Sequence, residues 1–419
     1  MDRTGSADLP LHSGRMPDWL AERMARLGRI LVEALVLHYG RHEVLRRLAN
    51  PFWFQSLGAV MGMDWNSSGV TTTVLGSLKR GLTPGGRQLG LYVVGGKGVQ
   101  ARRTLDELRI IGDRVGIDAE ALGRASLLAA KVDSAAVQDG FDLYAHSLIF
   151  SDDNAWAVVQ QGMNAEAQQA RRYHWLSEGL GSFVDSPHTA IEGPSRGVIL
   201  NLTDRRASRA RAAQVELVSQ GPEAVLGALP HLRLPVHDEV TREDVFLRRL
   251  HGTLAAAAEQ GPRDFAELLL VPGVGARTVA ALASVAEVLH GAPARFTDPA
   301  RFAFAQGGKD RHPYPVRLDV YDETLRVLRS AVDAAKLGRD EKLGALRELD
   351  RQARRLESEA RGPSLEALAH TGWSEARELL PTESPLPRPV GAPGWRHPPA
   401  SRVAAEHASP GDDSSRHTG

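Results

Sequence analysis

The feature that most constrains the fold is a change of hydrophobic period in the middle of the chain. Two apolar runs, Asp142–Phe150 and Trp156–Gln161, flank the polar turn Ser151-Asp152-Asp153-Asn154. A strand, a short polar turn and a second strand pair as an antiparallel hairpin. Around this hairpin the spacing is mostly that of helices. Leu20, Met24, Leu27, Leu31, Leu35 and Leu45 recur near every 3.6 residues and predict helix from Pro17 to Leu48. Thr104 to Val132 reads as two helices, and Leu89–Val94 reads as a further buried strand stopped by Gly95-Gly96-Lys97-Gly98. Helices dominate after Ala165, with one of them predicted over Asn201–Gln220. Strands grouped in one region and helices in the next give an α+β class.

The expected organisation follows from these patterns. A mixed α/β domain over 1–230 precedes an α-helical domain over 240–338, with a Pro/His-rich linker between Pro230 and Thr241. A charged helical extension covers 339–380, where acids and bases alternate on a solvated face. The tail, 381–419, is rich in Pro, Ser, Gly and His without apolar periodicity, a composition that predicts disorder. The 419 residues include no cysteine, which excludes thiol nucleophiles, disulfides and cysteine-ligated metals. No apolar run approaches the 18 or so residues of a membrane span, and the first segment has no secretion pattern, so a cytoplasmic location without membrane partners is expected. Fifty-one basic residues balance 51 acidic ones, so any affinity for nucleic acid must come from local patches.

The sharpest local motif is Leu269-Leu270-Val271-Pro272-Gly273-Val274-Gly275-Ala276-Arg277-Thr278, set between two apolar helical stretches. Glycines on both sides of Val274 permit a tight turn with exposed amides beside the positive end of a helix, and such a turn suits an anion. It resembles the helix-hairpin-helix element of DNA repair proteins. That resemblance implies a phosphate grip by Gly273, Val274, Gly275 and Arg277 that reads no sequence. His290-Gly291-Ala292-Pro293 and Asp298 further resemble the helix-hairpin-helix glycosylases. Asp298-Pro299 fits a helix cap better than the catalytic aspartate of that superfamily, and Arg277 stands where its bifunctional members carry a lysine.

Blocks spread over residues 1 to 338 carry a broader resemblance. Among them are Arg3-Thr4-Gly5, Pro51-Phe52-Trp53-Phe54-Gln55, Asp64-Trp65, Gly95-Gly96-Lys97-Gly98, Gln138-Asp139-Gly140 and Gln160-Gln161-Gly162-Met163-Asn164. Arg171-Arg172-Tyr173-His174-Trp175 and Gly307-Gly308-Lys309-Asp310 continue the series. Together they are similar to a prokaryotic family catalogued as domain of unknown function seven hundred and sixty-three. What the resemblance implies is a link to DNA through the hairpin.

The remaining chemistry is argued from side chains. Lys131 to Trp175 is unusually rich in amides and acids, with Asp133, Gln138, Asp139, Asp142, His146, Gln160 and Gln161 around the hairpin strands. Aspartate with histidine suits proton transfer or a divalent ion, so Asp133, Asp139, His146 and Gln160 are candidate catalytic residues. Asp133, Asp139 and Asp142 are candidate ligands for Mg or Mn. Arg171, Arg172 and Tyr173 mix cations with a stacking surface suited to a nucleotide strand, and Gln169 to Tyr173 has the Gln-x-x-x-Tyr spacing of RecB-like nucleases. Arg205, Arg206 and Arg209 form a basic stripe on a helix.

Only six of the 51 basic residues are lysines. Lys97, held between glycines, is therefore a candidate amine for attack on an abasic sugar. The expected function is a DNA-binding protein of repair type that processes damaged or structured DNA as a metal-dependent nuclease. The alternatives are a DNA glycosylase or abasic-site lyase using Lys97, and a non-enzymatic DNA-binding module.

Overall fold

The expected hairpin lies at the centre of the main sheet. In the computed structural model β4 (Asp142–Ser151) and β5 (Trp156–Asn164) run antiparallel, with Phe150 opposite Trp156 and His146 opposite Gln160. Residues 9–10, 18–63, 68–228, 244–300, 318–335, 338, 340–341, 343–348 and 351 are described. All fall within one unit, Met1–Leu365. The expected tail, most of the charged extension, the linker at 230–241 and Lys309 lie outside the described residues.

Strand β2 (Leu91–Lys97) pairs with the free side of β4, and β6 (Gln169–Leu176) with that of β5. The two-residue β1 (Leu9–Pro10) and β7 (Ala190–Glu192) both pair with β6, and every pairing is antiparallel. A second sheet joins β3 (Val137–Gln138), β8 (Val198–Asn201) and β9 (Arg295–Thr297) in the order β3-β8-β9. The class is therefore mixed α+β with two antiparallel sheets. The expectation of helix beyond Ala165 fails over β6. Its strand carries Arg171-Arg172-Tyr173-His174-Trp175, and polar side chains on both faces leave no apolar alternation to mark it.

Helices cover both faces of the main sheet. On one side pack α1 (Asp18–Tyr39), α2 (Arg41–Leu48), α3 (Pro51–Val60), α4 (Gly69–Leu82) and, from much later in the chain, α14 (Leu318–Ala334). Short α5 (Gly86–Leu89) leads into β2 and α6 (Val99–Arg102) leaves it. On the other side lie α7 (Thr104–Val115), α8 (Ala119–Lys131), α9 (Ser208–Ser219) and α10 (Pro222–Ala228). They are joined there by α11 (Asp244–Gln260), α12 (Phe265–Leu270) and α13 (Ala276–His290).

The period of two along each strand sorts the core. Leu148, Phe150, Val158 and Trp175 point to the α8–α13 side, whereas Ile149, Ala157 and Val159 point to α1–α4. Each fully buried Val, Leu, Ile or Phe side chain among them contributes about 1.5–3 kcal/mol. Leu250 and Leu254 of α11 and Val285 of α13 share one apolar core with Phe150 of the sheet and Leu217 of α9. The core is thus continuous across the position where the sequence suggests a domain boundary. The helix expected over Asn201–Gln220 is shorter, being the end of β8, a 3-10 turn at Arg205–Ala207 and then α9.

Candidate functional site

A wide turn at the end of α8 places the first candidate residue. Helix α8 runs directly into a π-helical turn, Val132–Ala136, a widening often found at functional positions. That turn aims Asp133 at the sheet, where its carboxylate accepts hydrogen bonds from Gln160 Nε2 on β5, Trp175 Nε1 on β6 at 2.9 Å, and His188 Nε2. Because Gln160 Nε2 donates to Asp133, its Oε1 is left facing His146 Nδ1 at 2.7 Å. His146 therefore carries its proton on Nδ1, and Nε2 accepts from Ser126 Oγ of α8, also at 2.7 Å. Ser126, His146, Gln160, Asp133 and His188 form one hydrogen-bonded line beneath the sheet. Burial holds the His146 imidazole below its ordinary range, so it is neutral at pH 7. Ser126, Asp133, His146 and Gln160 are all buried, and the line ends at the partly exposed His188.

Asp139 belongs to a neighbouring cluster on the same face. It accepts from Arg171 Nη1 at 2.6 Å, from the Tyr173 hydroxyl at 2.7 Å and from the Phe141 amide at 3.1 Å. Arg171 also donates to both oxygens of Asp298, at 3.2 and 2.7 Å, and to the Pro194 carbonyl. Burial pushes the Asp139 carboxyl up, and the guanidinium beside it pulls it back. Burial works against the Arg171 charge as well, yet Asp139 and Asp298 hold it above its ordinary value. Asp298 further accepts from the Ala300 and Arg196 amides at 2.9 and 2.8 Å, and the helix it is expected to cap would lie outside the described residues.

The next residue along each strand faces the other way. Arg172 donates to Glu192 on β7, to Thr71 Oγ1 at 3.2 Å and to Gln55 Oε1 at 2.9 Å, all on the α1–α4 side. His174 Nε2 lies 3.5 Å from Glu192 and its Nδ1 3.2 Å from the Leu48 carbonyl, and burial lowers its pKa. Despite the penalty of burial, Arg172 keeps Glu192 below the ordinary carboxylate range. Gln161 Nε2 donates to the Ser68 carbonyl at 2.9 Å and to the Tyr144 hydroxyl.

The structure therefore unites some candidates and separates others. Asp133, His146 and Gln160 meet in one network, and Asp139 lies in the cluster beside it. Lys97 does not join them. It is exposed and sits 5.7 Å from the Tyr144 ring, on the Gln161 side of the sheet. Asp142 is exposed at the start of β4, so the three proposed metal-ligating aspartates are not brought together. Among the described residues no group of three or more acids and histidines is placed to hold a metal ion.

The strand-guiding role expected of Arg171, Arg172 and Tyr173 needs correction. All three are fully buried, and a guanidinium locked between carboxylates in the core cannot reach a polynucleotide. Their run of cations and rings reads as a surface patch only when the alternation of a strand is ignored. His188 and Ser126 were not singled out from the sequence. His188 lies in a Gly/Ser/Pro-rich segment between β6 and β7 that shows no period, and Ser126 reads as one small residue on an apolar helix.

The remaining candidates lie at the surface. Helices α12 and α13 are joined by Val271-Pro272-Gly273-Val274-Gly275, as the sequence suggests. Pro272, Gly273 and Arg277 are exposed, while Val274 is buried to 1 %. Gly273 has φ +90°, a conformation that favours glycine. Gly275 opens α13 and offers no side-chain cap, and the first intrahelical bond is from the Val279 amide to the Gly275 carbonyl at 3.0 Å. Arg205 and Arg209 are exposed on the 3-10 turn and on α9, which packs against α13. Arg206 is paired with Asp204, and Arg211 is buried against the Leu202 carbonyl at 2.7 Å.

No helix among the described residues is long and apolar enough to cross a membrane. Neither a curated protein nor a solved structure matches the chain. The model of one family, described as "Protein of unknown function (DUF763)", matches residues 5–316, and over that span, most of its length, the chain belongs to this family.

Proposed function

We propose that this protein binds DNA through a helix-hairpin-helix element formed by α12, the turn at 271–275 and α13. The observation that carries the reading is the turn itself. Val274 is sunk into the core, Gly273 adopts a left-handed conformation at the surface, and α13 begins with an uncapped glycine. The first-turn amides of a 15-residue helix lie at its positive end, which favours a backbone phosphate and carries no base information. Arg277 is exposed in the first turn of α13, and Arg205 and Arg209 are exposed on the 3-10 turn and on α9, which packs against α13; positive charge there would strengthen the same interaction.

Binding is supported better than cleavage by the residues first considered. Asp133, Asp139, His146 and Gln160 are buried and satisfied by one another or by Arg171, Tyr173 and Ser126, a state typical of a core polar network. Repair-type processing of damaged or structured DNA is the setting that the hairpin favours.

The test is retention of a labelled duplex by the full chain across a salt series. Binding at low ionic strength that weakens steeply with salt is expected, together with a loss of roughly tenfold in Gly273→Val, whose side chain cannot adopt the native φ without strain. Absence of binding at low salt, or wild-type affinity in a folded Gly273→Val variant, overturns the proposal. Nicked and abasic duplexes, incubated with EDTA or with borohydride in parallel, report whether cutting or a covalent adduct accompanies binding.

A further inference from the structure

Three contacts fix the hairpin turn from inside the protein. The Lys131 ammonium at the end of α8 donates to the Val274 carbonyl. Gln138 Nε2 on β3 donates to the Ala276 carbonyl at 2.8 Å and to the Ala135 carbonyl at 3.0 Å. Thr253 of α11 lies under Gly273, close enough that a Cβ at that position would come within 2.9 Å of its Oγ1. Lys131 is half-buried, and burial alone lowers its pKa, without a carboxylate among the causes. Partial burial of a cation costs free energy, which the hydrogen bond to the Val274 carbonyl offsets in part.

The effect of these contacts follows from peptide geometry. In a trans peptide the C=O and the following N–H point in opposite directions, and the chain has no cis bond among the described residues. When Lys131 draws the Val274 carbonyl inward, the Gly275 amide of the same peptide is turned outward. Gln138, by gripping the Ala276 carbonyl, fixes the first turn of α13 in register with that amide.

We infer that Lys131 and Gln138 are positioning residues for the hairpin: acting through the Val274 and Ala276 carbonyls, they preset the Gly275 amide for a phosphodiester oxygen. This rests on the DNA-binding reading above and adds to it two residues that do not themselves touch the DNA. Preorganised main-chain donors need no rearrangement on binding, which is where the gain in affinity lies.

The experiment compares Lys131→Met, Lys131→Arg and Gln138→Leu with the parent chain, using duplex retention against salt and thermal melting of each variant. Lys131→Met and Gln138→Leu are each expected to weaken binding roughly tenfold. The slope of log affinity against log salt is expected to stay unchanged. Lys131→Arg, which keeps a donor, is expected to restore most of the affinity. A slope that falls by about 0.9 in Lys131→Met means that the ammonium itself meets a phosphate, and this overturns the positioning role. Parent-like affinity in folded Lys131→Met and Gln138→Leu also overturns it. If Lys131→Met melts too low to assay, Gln138→Leu decides by the same criteria. Loss of binding in Gly273→Val with none in these two variants removes this inference alone, whereas no binding by the parent removes the DNA reading and this inference together.

Discussion

Arg171 shows most clearly what a single residue contributes. Its guanidinium stands between Asp139 and Asp298, with all three side chains shielded from solvent. A buried ion pair of this kind adds little net stability over an apolar replacement of the whole group, but removing one partner leaves charge stranded in the core. Arg171→Met strands two carboxylates at once and is expected to destabilise the protein by about 3–5 kcal/mol, read from urea denaturation at neutral pH. A loss below about 1 kcal/mol would show that the cluster is not closed as described. The sequence singles out Asp133, Asp139, His146 and Gln160 as candidate catalytic residues, and the structure buries all four in hydrogen-bonded networks. Their pairing was not legible, because His188 comes to Asp133, and Asp298 to the Arg171 that holds Asp139, from positions far along the chain.

Among elements, the contact of α1 with α4 depends on one glycine. A Cβ on Gly81 would strike the backbone carbonyl of Ala25, so the two helices touch main chain to side-chain-free main chain. Gly81→Ala forces them apart and is expected to cost about 1–3 kcal/mol in denaturant unfolding. Gly76→Ala, on the same helix but with no atom near its Cβ position, serves as the comparison and is expected to be neutral or stabilising by up to about 1 kcal/mol. Equal effects at the two positions would refute the close approach. Elements with a clean period were readable in advance, notably β4, β5, α7 and α8. Strand β6 was not, because Arg171 and Arg172 are polar on opposite faces and both are satisfied by ion pairs that the sequence does not display.

For the whole molecule, the buried histidines set the response to acid. His146 and His174 titrate near 6.5 in an unfolded chain, and burial lowers both in the folded one. As pH falls below about 6.5, the unfolded chain takes up protons that the folded chain refuses, so stability is expected to fall with pH until the lowered folded-state values are reached. Asp139, pushed up by burial, acts in the opposite sense at lower pH. Melting temperatures measured between about pH 7 and about pH 5 should therefore drop steadily, and His146→Asn should flatten that slope. A parent chain whose melting point is constant over this interval would contradict the lowering by burial assigned to the two rings.

The sequence by itself determined the class of the fold, the central hairpin and the turn between α12 and α13. Each of these is set by local rules: a period of two or 3.6, a polar turn, and glycines where the backbone must bend. Only the tertiary structure decided which polar residues are surface and which are interior. Gln160 and Gln161, or Arg171 and Arg172, are neighbours in the chain, yet the pleat sends them to opposite sides of the sheet, and each becomes stable only when a partner from a distant segment arrives. Lys131 illustrates the same limit, since its role depends on a carbonyl 143 positions away. Local preference specifies the direction of a backbone, whereas the pairing of buried charge is a property of the packed molecule.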